Sequence, residues 1–475
     1  MNKPILRLYG LVLVLFAALI FATSWWTVFG ADDLRSNPNN RRALLEQARV
    51  KRGTITARDG TVLARSVPAP GGLYSRTYPS GDLFSQTIGY SFINFGRAGL
   101  EQYRNPELTG QRPELSSIID QLMGKKAVGD EVQTNLDPQA QRVAIEAMAG
   151  RKGSIVALEP ATGKIRVMVS VPGFDPNSIP DDLSKLNTDN ENSPLLNRAT
   201  QAQYPPGSTF KVVTATAAID SGKYSPDSIV DGSSPKEISG VPLSNSGGAQ
   251  FGRIDLTTAL TNSVNTVWAE VGEKVGIDTM AEYMKRYGFY AKPPLDYPAN
   301  QRIASGERGA NGELLSPTSN LIDVGRMAIG QDKLTVTPLQ MAMVASAVAN
   351  GGVLVAPRIT DRIIDSDGRV RNDIKSTEVI RVMKASTAQQ ITKMMSNVVR
   401  EGTGTAAALS GIAVAGKTGT AEKNPALDLN QVWFIGFAPA DNPTIAIAVT
   451  IEDSVGGQGG TVAAPVARQV LEALL

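Results

Sequence analysis

The 475-residue chain contains no cysteine and no histidine. Without Cys there is no thiol nucleophile, no disulfide and no thiolate metal site. Without His, a Ser-His-Asp triad, a Cys-His pair and imidazole metal ligation are all excluded. Any acyl-transfer chemistry must therefore take its general base from Lys, Asp, Glu or Tyr. Net charge is nearly lacking too: 47 basic residues against 45 acidic ones leave +2. That balance makes no case for nucleic-acid binding, which needs a strongly basic face. Apolar content is that of a globular protein, and the length suits two or three domains of roughly 100–200 residues each.

One long apolar run is present. Leu8 to Phe29 carries no charge, close to the ~20 residues that span a bilayer. Lys3 and Arg7 precede it, and Asp32 and Asp33 follow it. The positive flank predicts a cytoplasmic N-terminal tail (1–7) and an exported remainder. Trp25 and Trp26 fall near the outer end, where indole rings favour the headgroup zone. A cleaved signal peptide is the competing reading. Such peptides have a shorter apolar core and a small-residue cleavage site, so a retained transmembrane anchor (8–29) is the expectation.

Downstream, residues 31–50 are polar, with Asn37-Pro38-Asn39-Asn40 before Leu44 and Leu45, and read as a stalk. Arg58-Asp59-Gly60 reads as a turn between strands at Thr54-Ile55 and Val62-Leu63. Asp137-Pro138 reads as a capped helix start, followed by Ala140, Val143, Ala144 and Ala147 at helical spacing. The character changes near Gly153. Ser154–Leu158 and Lys164–Val169 read as a hairpin opening a new sheet, followed by a loop-rich stretch from Pro172 to about Pro194. Further strands are expected at Val414–Thr420, Val432–Phe437 and Thr444–Ile451, and helices at Pro338–Ala349 and Pro465–Leu475. The expected domains are thus a stalk and pedestal over 31–150 and a second domain over 151–475.

Tyr204-Pro205-Pro206-Gly207 breaks the chain, and Ser208-Thr209-Phe210-Lys211 then opens an apolar helix. A spacing of three puts Ser208 and Lys211 on one helical face, an amine beside a hydroxyl at a helix N-terminus that favours negative charge. Taken alone the pattern is weak, because Ser208 could merely cap a helix. Ser233-Ser234-Pro235-Lys236 repeats the spacing, but Pro235 forbids a continuous helix there. Two further elements follow in order: Ser263-Val264-Asn265, and Lys417-Thr418-Gly419-Thr420 on a strand.

The order Ser-x-x-Lys, Ser-x-Asn, Lys-Thr-Gly resembles the three signatures of penicillin-binding proteins and serine β-lactamases. Arg52-Gly53-Thr54-Ile55, Arg58-Asp59-Gly60, Leu63-Ala64, Gly99-Leu100-Glu101, Asn135-Leu136-Asp137 and Ala199-Thr200 extend the likeness over nearly the whole chain. It resembles a monofunctional, class B penicillin-binding protein of the short actinobacterial penicillin-binding protein A type. Val264 departs from the Asp that β-lactamases often carry, which argues against a β-lactamase.

The resemblance implies an α+β fold: a transpeptidase-like domain with an antiparallel sheet and a helical subdomain, behind a β-rich pedestal and an N-terminal transmembrane helix. It implies a D,D-transpeptidase that cross-links peptidoglycan stem peptides ending in D-Ala-D-Ala, is acylated by β-lactams, and needs no cofactor or metal. Ser208 would be the nucleophile, Lys211 its base, Ser263 a proton relay and Asn265 a substrate-amide contact. Lys417 would lower the Lys211 pKa and attract a carboxylate bound by Thr418 and Thr420. The strand through Gly419 would pair with the peptide, and the N–H groups of Ser208 and Thr420 would form the oxyanion hole. A SEDS-type glycosyltransferase would be the membrane partner. A bifunctional enzyme would need a further domain of some 200 residues, for which there is no room. A D,D-carboxypeptidase, or a penicillin-binding sensor or scaffold, stays open as an alternative.

Overall fold

The computed structural model describes residues 2–28, 48–110 and 128–475. Most of the expected stalk, including Asn37, Leu44 and Leu45, lies outside the described residues, as do Phe29, Asp32 and Asp33. Helix α1 runs from Asn2 to Val28, so residues 2–7 of the expected tail belong to the helix. Its apolar side chains point outward on every side: Leu8, Phe16, Phe21 and Trp25 are all more than half exposed. A helix apolar all round and left uncovered by the described residues suits a non-aqueous surrounding. The 23 residues Lys3–Trp25 are long and apolar enough to cross a membrane.

The pedestal is built on a six-stranded sheet. It contains β1 (Ile55–Thr56), β2 (Val62–Ala69), β3 (Leu73–Thr77) and β4 (Glu131–Thr134). The Arg58-Asp59-Gly60 turn joins β1 to β2 as expected. Gly60 takes φ +84°, a conformation that favours glycine, and Asp59 Oδ1 accepts the Thr61 N–H at 2.9 Å.

Helix α2 (Pro138–Met148) starts where Asp137 Oδ1 accepts the N–H groups of Gln139 and Ala140, both at 3.1 Å. Strands β5 (Gly153–Leu158) and β6 (Ile165–Val171) follow. With β7 (Ala415–Asn424), β8 (Leu429–Ala438) and β9 (Ile445–Val455) they form one antiparallel sheet, in the order β7-β8-β9-β5-β6. Alternate residues feed two cores, one on each face. On β9, Ile445, Ile447, Val449 and Ile451 join the core beneath α2 and the C-terminal helix Ala464–Leu474. Ala446 and Ala448 face the other core. Their small size suits the close approach of the Pro338–Ala349 helix, which is buried from Pro338 to Val348.

One feature differs from the sequence reading. The stretch 172–194 is not all loop: Ile179–Thr188 is a helix, with Pro180 in its first turn and Asp181 and Asp182 at its positive end. Elements from the two sides of residue 150 also pack together. Strands Thr360–Ile364 and Val370–Asp373 extend the pedestal sheet beside β4, while α2 packs into the core of the second sheet. Arg104 bridges this seam, donating to Thr360 Oγ1 at 3.0 Å and to Asp296 at 3.2 Å.

Candidate active site

Ser208 lies in a 3-10 turn, Gly207–Phe210, that runs into helix α3 (Lys211–Asp220). In a 3-10 turn residues three apart eclipse, which aligns Ser208 with Lys211 more closely than an α-helix would. Three glycines bring the surrounding backbones into contact. A Cβ on Gly330 (φ +79°) would lie 2.0 Å from the Gly207 carbonyl oxygen, and Gly207 donates its N–H to Gly330 at 3.0 Å. A Cβ on Gly207 would lie 2.8 Å from the Thr420 carbonyl oxygen, and one on Gly419 2.8 Å from that of Pro206. Trp433 on β8 donates its indole N–H to the Pro205 carbonyl at 3.0 Å. The Ser208 turn is thereby held against β7.

Lys211 is fully buried. Its Nζ lies 2.6 Å from Asn265 Oδ1, 2.8 Å from the Ser263 carbonyl, 2.9 Å from Ser208 Oγ and 3.3 Å from Ser263 Oγ. Burial pushes its pKa well below the ordinary lysine value, and the charge of Lys417 pushes the same way. A neutral amine has two protons and one lone pair. In that form the two shortest contacts would take the protons and leave the lone pair for the Ser208 hydroxyl, whereas as an ammonium Lys211 donates to Ser208 Oγ.

Ser263 ends the segment after helix α4 (Leu256–Thr261) with φ +58°, an uncommon conformation for a residue with a side chain. Asn265 then begins helix α5 (Asn265–Val275). Lys417 sits on β7 opposite Ile435, is fully buried, and donates to the Thr418 carbonyl at 3.0 Å. Burial lowers its pKa to about 7. Thr418 is nearly buried. Thr420 Oγ1 accepts the Gly459 N–H at 3.1 Å. Among the described residues strand β7 pairs only with β8, and its outer edge through Gly419 has no sheet partner.

The Ser233 copy has no such geometry. Ser233 donates to Asp231 at 2.7 Å, and Lys236 pairs with Glu270 at 2.6 Å. Its neighbour Ser234 has a different task, accepting the Asn245 N–H at 3.0 Å. Asn245, missed by the sequence reading, is buried and fully bonded. Its amide donates to Gly232 and Ala249, and its Oδ1 accepts Thr266 N–H at 3.0 Å and the Thr266 hydroxyl at 3.1 Å. Val264 gives α5 no side-chain cap, so Asn245 caps that helix from another segment. The adjacent Ser244 carbonyl accepts from Asn265 Nδ2 at 3.3 Å. Also missed was Glu452, which receives Arg198 Nε at 2.8 Å and the Tyr204 hydroxyl and braces the approach to Ser208.

Comparison with known proteins matches this arrangement to one family. The penicillin binding protein transpeptidase domain matches residues 153–472, about two-thirds of the chain. The chain belongs to the penicillin-binding protein transpeptidase family. The penicillin binding protein A dimerisation domain matches residues 52–132 of this transpeptidase. The peptidoglycan D,D-transpeptidase PbpA of Mycolicibacterium smegmatis is 33% identical over 500 residues, covering 100% of this chain and 99% of that protein. Penicillin-binding protein A from M. tuberculosis, solved as a ceftriaxone acyl-enzyme, is 31% identical with TM-score 0.81, covering 91% of this chain and 100% of that one. The D,D-transpeptidase domain of a peptidoglycan glycosyltransferase from Eggerthella lenta is 33% identical with TM-score 0.79, covering 90% and 99%. The transpeptidase is therefore of the class B, penicillin-binding protein A type, and its α+β fold is that of these solved relatives.

Proposed function

We propose that this chain is a peptidoglycan D,D-transpeptidase that cross-links stem peptides ending in D-Ala-D-Ala through a Ser208 acyl-enzyme, and that β-lactams acylate the same serine. The observation that carries the residue assignment is the buried Lys211 amine 2.9 Å from Ser208 Oγ. A lysine serves as a base only when its pKa is depressed, and burial does that here.

Ser208 attacks the penultimate D-Ala carbonyl carbon and passes its proton to Lys211. The N–H groups of Ser208 and Thr420 hold the resulting oxyanion, an interaction typically worth about 3–4 kcal/mol per donor. In support, the backbone beside Ser208 abuts that of Thr420. Ser263 relays the proton to the leaving amine, and D-Ala departs. An amine of a neighbouring stem peptide then attacks the ester and releases Ser208. Asn265 keeps one amide proton for the substrate, since Ser244 takes only the other. Lys417, Thr418 and Thr420 receive the terminal carboxylate, and the free edge of β7 at Gly419 pairs with the extended donor.

Helix α1 anchors the enzyme. Lys3 and Arg7 keep its N-terminus in the cytoplasm and place the catalytic part outside the cell membrane. Residues 31–150 form the pedestal, whose partner is a SEDS-type glycosyltransferase, and 151–475 form the transpeptidase domain. A donor peptide ending in D-Ala-D-Ala, incubated with a D-amino acid acceptor, tests the activity. The expected product carries the acceptor in place of the last D-Ala. Hydrolysis alone would mark a carboxypeptidase, and an acyl-enzyme without turnover a sensor.

A further inference from the structure

The loop after the Ala385–Glu401 helix enters the site from a side no motif covers. Gly402 is required there, because a Cβ on it would lie 2.3 Å from the Thr261 carbonyl oxygen. Gly460 has the same role opposite, 2.3 Å from the Thr403 carbonyl oxygen. Thr403, pressed between them, donates its N–H to Thr261 at 3.3 Å. Its hydroxyl lies 2.6 Å from that of Thr418. Thr403 is itself exposed, while Thr418 is nearly buried.

Counting protons gives this contact a direction. Each hydroxyl has one proton to donate. Thr420 accepts from Gly459, so its own proton is free for a ligand. Thr418 reaches the same condition only if Thr403 donates to it. With Thr403 donating, Thr418 and Thr420 both turn protons outward. With Thr418 donating, its proton is spent within the protein. A carboxylate selects the first arrangement, because a chain of hydrogen bonds ending on an anion is mutually strengthening.

We propose that Thr403 is a positioning residue for the donor carboxylate: its hydroxyl donates to Thr418 and thereby commits the Thr418 proton to the substrate. This rests on the carboxylate-binding role proposed for Thr418 and Thr420. The test compares acylation rate constants of the full-length chain in detergent for benzylpenicillin and for its methyl ester, which lacks the anion. Thr403→Val keeps the shape and removes the hydroxyl. It is expected to lower the acid-to-ester rate ratio about two- to threefold, the loss of the strengthening that the Thr403 donor gives the Thr418–carboxylate hydrogen bond, and Thr403→Ser is expected to restore it. Thr418→Val separates the two readings. If Thr418→Val lowers the ratio and Thr403→Val does not, the Thr403 role is overturned and the carboxylate site stands. If neither lowers it, the carboxylate site falls and the Thr403 role with it. If Thr403→Val slows acid and ester equally, the residue acts through its Thr261 contact on the width of the cleft, and the proposal fails.

Discussion

Two lysines with depressed pKa values face one cleft, and their consequences differ. In the proposed mechanism Lys211 must lose its proton before Ser208 can give one up. Lys211→Ala is therefore expected to reduce penicillin acylation by at least ~10³-fold, while Lys236→Ala, in the second Ser-x-x-Lys copy, leaves it near the wild-type rate. Rate constants from fluorescent-penicillin labelling distinguish the two. The charge of Lys417 lowers the Lys211 pKa, so Lys417→Met raises it and moves the rising limb of the acylation pH profile to higher pH. Lys417 also leaves a mark on stability. Its folded pKa, about 7, lies below the ordinary 10.5, so the unfolded chain binds more protons between those values. Its unfavourable contribution is complete below about pH 7 and fades as pH rises to about 10.5. The melting temperature of Lys417→Met relative to wild type should be highest near pH 7 and decline toward pH 10. Spacing singled out Ser208 with Lys211, with the missing His leaving few other bases, whereas Ser263, Asn265 and Lys417 were legible only through the resemblance that the order of the three motifs carries; the structure brings Lys211 within 3.3 Å of Ser208, Ser263 and Asn265. The low pKa of Lys417 was not legible, because it comes from burial, which no motif records.

At the scale of elements, the site depends on segments that meet without side chains and on a helix capped from afar. Gly330→Ala would force a Cβ into the Gly207 carbonyl at a left-handed backbone position. It is expected to destabilise the fold by roughly 2–4 kcal/mol and to slow acylation, read by chemical denaturation and labelling. Asn245→Ala removes the cap of α5 and the side-chain anchors of the segment whose Ser244 carbonyl accepts from Asn265. A loss of about 1 kcal/mol is expected from the cap, with acylation slowed about 10- to 100-fold through misplaced Asn265. Strands β5, β8 and β9 could be read because continuous apolar runs bounded by turns mark strands buried on both faces. Asn245 could not, because an Asn before Ser-Gly-Gly looks like any turn. Helix Ile179–Thr188 was hidden by the same Pro and Asp residues that start it.

At the scale of the whole molecule, residues late in the chain complete the pedestal sheet, and Arg104 donates across the seam to Thr360 and Asp296. The sequence reading placed a clean boundary at 150. It could not see that residues 360–373 return to the pedestal sheet, because strand pairing across more than 200 positions leaves no local pattern. Helix α1 makes a separate contribution. A chain lacking residues 1–47 is expected to stay soluble and acylatable, while the full chain sediments with membranes, as ultracentrifugation of labelled protein would report.

The central claim is an acyl-enzyme on Ser208. The most direct measurement is intact-mass and peptide-mapping analysis after exposure to benzylpenicillin, on wild type, Ser208→Ala and Ser233→Ala. One adduct mapping to Ser208, absent from Ser208→Ala and present in Ser233→Ala, is the predicted result. A covalent adduct persisting in folded Ser208→Ala would contradict it.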